Sequence, residues 1–212
     1  MEATPRRRRD GEATRRRVLD AVVRCILEQG YYQSTSNEIA RRAGVTWGAI
    51  QHLFGSREAL MIAVLEDGWK RLQERVGTEK IGGGSLEVRL WAVLGVLATY
   101  YESPEHLAAI QILLDFTANP ATSDETRRAI KRHGQELLRA WEPLFAQALG
   151  EAARDDDLVV YAFSTLRGYL TSRRIADTIA DLPPDTVQRQ LLVNGVAASL
   201  RAEARRRGLS LR

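Results

Sequence analysis

Apolar residues recur every three or four positions along most of this 212-residue chain, which is the period of an amphipathic α-helix. No stretch of useful length alternates apolar and polar residues as a half-buried strand does. Turn residues such as Asn119-Pro120 and Pro183-Pro184 separate the helical segments. The pattern therefore predicts an all-α fold of about nine helices. The predicted helices span residues 12–29, 35–43, 46–54, 56–76, 86–102, 105–117, 123–149, 156–181 and 185–206.

Two of these helices are short and are joined by a tight turn. Thr35 stands at an N-cap with Glu38 three residues later, the capping-box arrangement in which each side chain accepts from the other residue's backbone N–H. Gly44 supplies the left-handed residue that ends the first helix. The second helix begins at Thr46 and ends at Phe54. Two short helices about a glycine turn predict a helix-turn-helix.

The second short helix has one apolar face and one small or polar face. At 100° per residue, Ile50, Leu53 and Phe54 fall together on one face. Gly48, Gln51 and His52 fall on the other side, where Gly48 has no side chain to hold a partner surface away. The alternative interpretation is an ordinary helical hairpin inside an all-α core. Such a hairpin usually carries bulkier apolar residues at these outer positions, so the pattern favours a DNA-reading helix.

The segment from Gly30 to Arg57 agrees in register with a known DNA-binding pattern. The matching positions are Gly30-Tyr31, Thr35, Ile39-Ala40, Ala43-Gly44-Val45-Thr46, Gly48, Ile50 and Phe54-Gly55-Ser56-Arg57. In these positions the chain resembles the DNA-binding domain of TetR-type transcriptional regulators, over about residues 15–65. Two positions depart from the family pattern. Gln51 stands where a tyrosine typically touches a phosphate, and Leu53 where a histidine is common, with His52 beside it.

The resemblance implies a particular architecture and function. An N-terminal three-helix helix-turn-helix domain would precede a C-terminal helical domain for ligand binding and dimerisation. The protein would be a regulator, most often a repressor, whose homodimer binds a near-palindromic double-stranded DNA operator. A small-molecule effector would change the spacing of the two reading heads through the helix at 56–76, and so release the operator.

Ten residues are predicted to contact DNA. Gln51 suits the N6/N7 edge of adenine, and Trp47 suits a thymine methyl group or the sugar-phosphate wall. The residues expected in the major groove are Thr46, Trp47, Gly48, Gln51 and His52. The residues expected to fix register at phosphates are Arg15, Arg16, Arg17, Thr35 and Arg57.

The charge distribution agrees with this placement. Residues 1–57 hold 11 Lys and Arg against 6 Asp and Glu, whereas the remainder holds 20 against 21. The positive excess therefore lies on the helix-turn-helix side, as expected for a protein that binds the phosphate backbone. A solvated tail alone would also explain the run Arg6–Arg9, so that alternative stays open.

The predicted domain organisation has four parts. Residues 1–11 form a disordered basic arm and residues 12–55 form the helix-turn-helix domain. Residues 56–76 form a connecting helix, which ends at the glycine-rich loop 77–85. Residues 77–212 form the helical ligand-binding and dimerisation domain.

The last two predicted helices offer a candidate dimer interface. Small residues near the middle of the last helix would let helices approach closely, which suits a four-helix contact with two helices from each subunit. The alternative is that both helices only close the core of the monomer. The predicted interface residues are Phe163, Leu166, Leu170, Leu191, Gly195 and Ala198.

The middle helices carry a surplus of aromatic side chains with polar tips, which predicts an apolar pocket for a hydrophobic or aromatic ligand. Plain core filling, with the tyrosine hydroxyls bonded locally, is the alternative. The predicted pocket residues are Trp91, Tyr100, Tyr101, Asp115, Phe116, Trp141, Phe145, Arg167 and Tyr169.

Other classes of function find little support. No histidine pairs with another ligand at metal-binding spacing, and no nucleophile or phosphate-loop motif occurs, so we expect no enzyme, no cofactor and no metal. The run Asp155–Asp157 is read as a helix start, with a cation site as the alternative. A single cysteine, no secretory signal and no 18-residue apolar run predict a cytoplasmic protein without membrane contact. A helical protein-interaction or carrier module is the alternative to a DNA-binding regulator.

We predict that Gln51→Ala relaxes base choice. The variant should lose roughly 1–3 kcal/mol on the preferred operator because a bidentate contact to adenine is removed. Its affinity for random duplex should change little. Fluorescence anisotropy titrations on both duplexes measure the difference, and equal losses on both would show that Gln51 does not read a base.

Overall fold

The chain folds almost entirely into α-helices. The computed structural model describes residues 5–211, with the side chains of residues 11–177 and 179–211. Within that range there is no strand, and no helix is long and apolar enough to cross a membrane. The predicted all-α class is confirmed. The helices are α1 (Pro5–Gln29), α2 (Ser36–Ala43), α3 (Trp47–Phe54), α4 (Arg57–Val76), α5 (Leu86–Tyr101), α6 (Pro104–Ala118), α7 (Asp124–Leu149), α8 (Asp156–Ile179) and α9 (Thr186–Arg207), with a short 3-10 helix at Gly150–Arg154.

Helix α1 begins earlier than the sequence pattern predicts. The expected disordered arm covers residues 1–11, but α1 starts at Pro5, and residues 1–4 lie outside the described range. Proline is well tolerated at the first position of a helix, and arginine is a strong helix former. The run of arginines after Pro5 therefore extends the helix backward into the segment predicted as a disordered arm.

Each of the two short helices begins with a side-chain cap, and the cap at Thr35 is the one predicted from the sequence. The Thr35 hydroxyl accepts from the Glu38 N–H at 3.3 Å, and the Thr46 hydroxyl accepts from the Ala49 N–H at 3.2 Å. Gly44 is left-handed, with φ of 65°. The reciprocal half of the capping box does not form, because the Thr35 N–H donates to the carbonyl of Gln33 at 2.8 Å. The Glu38 carboxylate instead accepts from two arginines of its own helix.

One compact unit comprises Met1–Arg71 and Pro104–Gln135 and is called the first unit here. Within it, α1 packs against α2 and α6. The core side of α1 is fully buried at Val18, Ala21, Val22, Cys25 and Ile26. Cys25 is therefore the small buried residue that its apolar surroundings predict, and burial raises the pKa of its thiol.

The second unit comprises Leu72–Ser103 and Glu136–Arg212. Helix α5 packs against α8 and α9, which pack against each other. Arg89 of α5 holds two chain segments together, since its guanidinium donates to the carbonyls of Ala148, at 2.7 Å, and Leu211. Asp155 caps α8, accepting from the N–H groups of Asp157 and Leu158 at 3.1 and 3.4 Å. The acidic run is thus a helix start, as expected.

These units group the helices differently from the predicted domains. The predicted DNA-binding domain ends at residue 55, whereas the first unit continues to Arg71 and includes Pro104–Gln135. Polar contacts explain part of the grouping, because Ser123 donates from its hydroxyl to the Glu58 carboxylate at 2.7 Å. The four-part division of the chain stays a prediction.

The ion pair between Glu87 and Arg201 generates a prediction about acid stability. Arg201 donates to the Glu87 carboxylate at 2.6 Å, and this bond is the main reason that the pKa of Glu87 is lowered to about 2. A lowered carboxyl pKa contributes stability that is present above the usual value of 4.5 and is lost as the pH falls through about 2. Glu87→Gln should therefore destabilise the fold at pH 7, by at most about 1 kcal/mol because the pair is partly exposed.

The difference should shrink steadily below pH 4.5, as urea unfolding at a series of pH values measures. Glu142→Gln is the matched control, since Glu142 is an exposed helical glutamate of the same unit. A difference that stays constant with pH would show that the ion pair is not its cause.

Candidate nucleic-acid interface

Helix α3 presents one exposed face and one anchored face. Ile50 is fully buried and fixes the helix to the first unit, while Trp47 is half-buried. The exposed residues on the outer face are Thr46, Gly48, Gln51 and His52. The structure thus brings the five predicted major-groove residues together at one short helix.

Gly48 leaves open space on this face. A Cβ atom added there would meet only the Thr46 hydroxyl oxygen, at 3.9 Å. Packing within the chain therefore does not require glycine at this position. The backbone of α3 is accessible to an approaching surface at the point where the predicted DNA contact lies.

Helix α2 is held by a network of ion pairs. Glu38 accepts from Arg41 Nε at 2.8 Å and from Arg42 Nε at 2.6 Å, and Arg42 also pairs with Glu28 of α1. Hydrogen bonds from Arg41 and then Arg42 lower the pKa of Glu38 to about 2. Arg41 and Arg42, which lie close to the turn, therefore stabilise α2 and its contact with α1.

Arg57 also serves the fold. Its guanidinium donates to the carbonyl of Ser34 at 2.7 Å and lies 5.4 Å from the ring centroid of Tyr31. These contacts join the start of α4 to the loop before α2. Arg57, which the sequence predicts to contact a phosphate, is thus already hydrogen-bonded to another segment of the chain.

The loop before α2 is also tied to α6. The Tyr31 N–H donates to the Gln111 side-chain oxygen at 3.1 Å. Burial, followed by a hydrogen bond to the Asp115 carboxylate, raises the pKa of Tyr31 to about 12. The exposed Tyr32 also bonds Asp115, and this bond raises the pKa of Tyr32. Sequence reasoning did not find these bonds, since residues 80 or more positions apart carry no shared signal in a single sequence.

The other residues predicted to contact phosphates differ in their exposure and in their contacts within the chain. Arg15 is half-buried, with its guanidinium 4.6 Å from the ring centroid of Phe54. Arg16 and Arg17 are exposed on α1. Thr35 is exposed, but its hydroxyl caps α2. Arg16 and Arg17 therefore remain the most accessible charges of the predicted set.

The predicted pocket residues are divided between the two units. Asp115 and Phe116 lie in the first unit, where they line an open cleft of about 500 Å³ with Tyr31, Arg57 and Thr122. The other predicted pocket residues lie in the second unit. The aromatic pattern marks buried positions, but it does not tell which core each one fills.

Within the second unit the aromatic residues form a buried cluster. Trp141 stacks on Tyr101 with centroids 6.4 Å apart and lies 5.9 Å from Phe163. Tyr100 and Phe145 complete the cluster. Outside it, Trp91 is 38% exposed, Tyr169 donates to Asp185 at 3.2 Å, and Arg167 lies over Phe163.

The predicted dimer residues fall on two different faces. Phe163, Leu166 and Leu170 are buried in the core of the second unit, so they are not available to a second subunit. Leu191, Gly195 and Ala198 are exposed on α9. The exposed apolar residues that sequence reasoning missed are Val160, Tyr161, Ile175, Ile179 and Val187. Periodicity reveals that α8 has apolar stripes, but not which stripe faces inward.

Comparisons with known proteins identify relatives of the segment that contains the helix-turn-helix. The family described as bacterial regulatory proteins, tetR family, matches residues 18–64. The HTH-type transcriptional regulator BetI of Cronobacter sakazakii is 34% identical over 137 residues, which cover 64% of this chain and 67% of that protein. BetI of Escherichia coli strain K12 (DH10B) is 35% identical over 107 residues, or 50% of this chain and 54% of that protein. The chain thus matches about half the length of its Escherichia coli relatives.

Solved structures share the fold over most of the chain. The fatty acid degradation regulator FadR of Bacillus halodurans superposes with a TM-score of 0.62 at 19% identity, covering 94% of this chain and 96% of that one. A tetR-family transcriptional regulator of Streptomyces coelicolor gives a TM-score of 0.63 at 21% identity, covering 91% and 82%. At such low identity these likenesses support the arrangement of helices alone.

The engagement of Arg57 generates a prediction that separates two roles. Arg57→Ala should destabilise the fold by about 1–3 kcal/mol, because a charged hydrogen bond to Ser34 is lost. The salt dependence of DNA binding should stay unchanged, since an arginine that stays bound to a carbonyl of its own chain displaces no counterions from DNA. Thermal unfolding and titrations over a range of salt concentrations measure the two effects.

Arg16→Ala is the matched control, because Arg16 is an exposed arginine of the same unit. It should keep stability and flatten the salt slope by about one unit. An Arg57→Ala variant that behaves like this control would restore the phosphate contact as the role of Arg57.

Proposed function

Because this chain belongs to the TetR family of bacterial regulatory proteins, we propose that it is a dimeric, ligand-responsive repressor of transcription. The membership rests on the Cronobacter sakazakii relative, of which 67% is covered at 34% identity. The proposed partners are a double-stranded DNA operator, a second copy of the chain and a small-molecule effector. The proposed place of action is the cytoplasm, where bacterial DNA lies. The relatives are transcriptional regulators, which leaves the alternative of a carrier module without support.

The exposed face of α3 carries the proposal. It lies in a unit that holds 17 Lys and Arg against 13 Asp and Glu, whereas the second unit holds 14 of each. The whole net charge of +4 therefore belongs to the unit that contains the helix-turn-helix. Positive charge beside an accessible helix of small and polar residues is what reading of the major groove needs.

Different residues would contact the bases and the phosphates of the operator. Gln51 would pair with an adenine edge, and the indole of Trp47 would contact a thymine methyl group. The exposed Arg16 and Arg17 would meet phosphates and fix the register of α3. Ion pairs of Arg41 and Arg42 would keep the reading helix in place from within the unit.

The exposed faces of α8 and α9 support a two-fold dimer. Ile175 is 58% exposed, and Val187 and Leu191 are 67% and 65% exposed. The exposed Gly195 and Ala198 continue the α9 surface with small side chains, which allow helices to approach closely. Exposed apolar side chains in this number are typical of a surface that another protein covers. Two copies would present two reading helices to two half-sites about 34 Å apart.

A response to a small molecule is supported by the structural neighbours. One is FadR of Bacillus subtilis in complex with stearoyl-CoA, with a TM-score of 0.51 at 21% identity, covering 87% of this chain and 96% of that one. Another is the multidrug binding protein EbrR complexed with imidazole, with a TM-score of 0.56 at 18% identity, covering 86% of this chain and 93% of that one. In this chain, helix α4 contains residues of both units and would carry the signal. The ligand must favour the released form, since equal affinity for both forms shifts nothing.

Gly48→Leu tests the proposal directly. Nothing within the chain lies closer than 3.9 Å to the added Cβ atom, so the fold should be as stable as before or slightly more stable. The new side chain would hold DNA away from α3, and operator affinity should fall by at least about tenfold. Selection of bound sequences from a random duplex pool supplies the operator, which should have two-fold symmetry.

Gly95→Leu is the matched control, because Gly95 is an exposed helical glycine of α5 with nothing within 4 Å of an added Cβ atom. It should bind the operator normally. A pool without any enriched sequence, or a Gly48→Leu variant that binds as tightly as the parent, would contradict the proposed function.

A further inference from the structure

The loop of residues 30–35 leads from α1 into the helix-turn-helix. At its first residue, Gly30 is left-handed with φ of 83°, and its N–H donates to the carbonyl of Ile26 at 2.9 Å. At its last residue, Thr35 is the N-cap of α2. Helix α3 follows α2 after the turn at Gly44. The conformation of the loop therefore sets where α2 begins, and through α2 it affects the placement of α3.

Two bonds hold the end of the loop that adjoins Thr35. Ser34 is fully buried, and its hydroxyl donates to the carbonyl of Gly30 at 2.8 Å. The carbonyl of Ser34 accepts from Arg57 Nη1 at 2.7 Å, which ties the same residue to the start of α4. A buried serine whose two polar groups are both bonded has little freedom to move.

Helix α6 holds the other end of the loop. The Gln111 side-chain oxygen accepts from the Tyr31 N–H at 3.1 Å, although the two residues are 80 positions apart. Helix α6 packs against α1, and the neighbouring residues Ala108 and Ile112 are fully buried. Gln111 is therefore a polar side chain on a helix that the core of the first unit already fixes.

The two kinds of DNA contact differ in how much displacement they tolerate. Hydrogen bonds from a side chain such as Gln51 to a base edge depend on distance and angle. Attraction between arginines and phosphates acts over about 8–10 Å at physiological salt. A small displacement of α3 should therefore weaken binding to the operator while binding to random duplex stays nearly the same.

We propose that Gln111 is a positioning residue for DNA recognition: by accepting from the Tyr31 N–H, it fixes the entry into α2 and so the placement of the exposed face of α3 within the first unit. Gln111 acts through the loop and does not itself contact DNA. The proposal rests on the proposed function, since it names a residue on which recognition of the operator depends.

Two substitutions at one position test the bond. Gln111→Leu removes the acceptor and should lower operator affinity about fivefold, the effect of one lost hydrogen bond, with a change of less than about twofold on random duplex. Gln111→Glu keeps a side-chain oxygen at the same chain length. Its added negative charge should weaken binding to both duplexes together, so that the ratio of the two affinities stays that of the parent.

Gln135 provides the matched controls, because it is an exposed glutamine of α7 in the same unit. Gln135→Leu and Gln135→Glu make the same chemical changes away from the loop, and both should keep the affinity ratio of the parent. Fluorescence anisotropy measures each affinity on the operator selected from the random pool. Circular dichroism at the assay temperature confirms that each affinity is that of a folded protein.

Hydrogen exchange gives a measurement that needs no DNA. Amides of α2 and α3 should exchange faster in Gln111→Leu than in the parent, because the entry into α2 is less well held, and at the parental rate in Gln111→Glu.

Three results would overturn the proposal. They are a parental affinity ratio in Gln111→Leu, an equal loss of that ratio in Gln111→Glu, and unchanged exchange of α2 and α3 in Gln111→Leu. Any of them, with a parent that still prefers its operator, leaves the regulator intact. A parent that prefers no sequence rejects the proposed function instead, and the exchange rates then decide whether Gln111 orders the two helices.

Discussion

The exposed face of α3 depends on the burial of one side chain, that of Ile50. Helix α3 has eight residues, and a helix of this length is not stable by itself in water. Ile50 is fully buried, and the hydroxyl of Thr46 caps the first turn. At the other end, the N–H of Gly55 donates to the carbonyl of Gln51 at 2.8 Å. The helix and its exposed outer face are therefore stable only because the inner face is buried against the rest of the unit.

The arginines near this helix form ion pairs and hydrogen bonds within the chain. Arg42 binds Glu28 and Glu38, and Arg57 binds the carbonyl of Ser34. The arginines nearest the turn thus stabilise the unit, while exposed arginines of α1 remain available to phosphates. A count of positive charge places the excess in the first unit, but several of the arginines in that count already bind groups within the chain. Helix α6 adds to the same frame, since Gln111 accepts from the N–H of Tyr31.

The second unit has a different organisation. Its core is aromatic and apolar, centred on Trp141 and Phe163, and it contributes no net charge. Exposed apolar residues lie on α8 and α9, and a cleft lies beside the buried indole of Trp141. The exposed apolar side chains of α8 include Val160, which also lines this cleft.

The sequence by itself determined the all-α class, the two short helices and the cap at Thr35, because periodicity and capping are local properties of the chain. It also placed the excess positive charge and the outward residues of α3. Tertiary structure alone decided that Phe163, Leu166 and Leu170 face inward, that Asp115 lies beside Tyr31, and that Arg57 is engaged at Ser34. These outcomes depend on contacts between residues far apart in the chain. A helical period shows that a stripe exists, but only the neighbouring helices decide which stripe is buried.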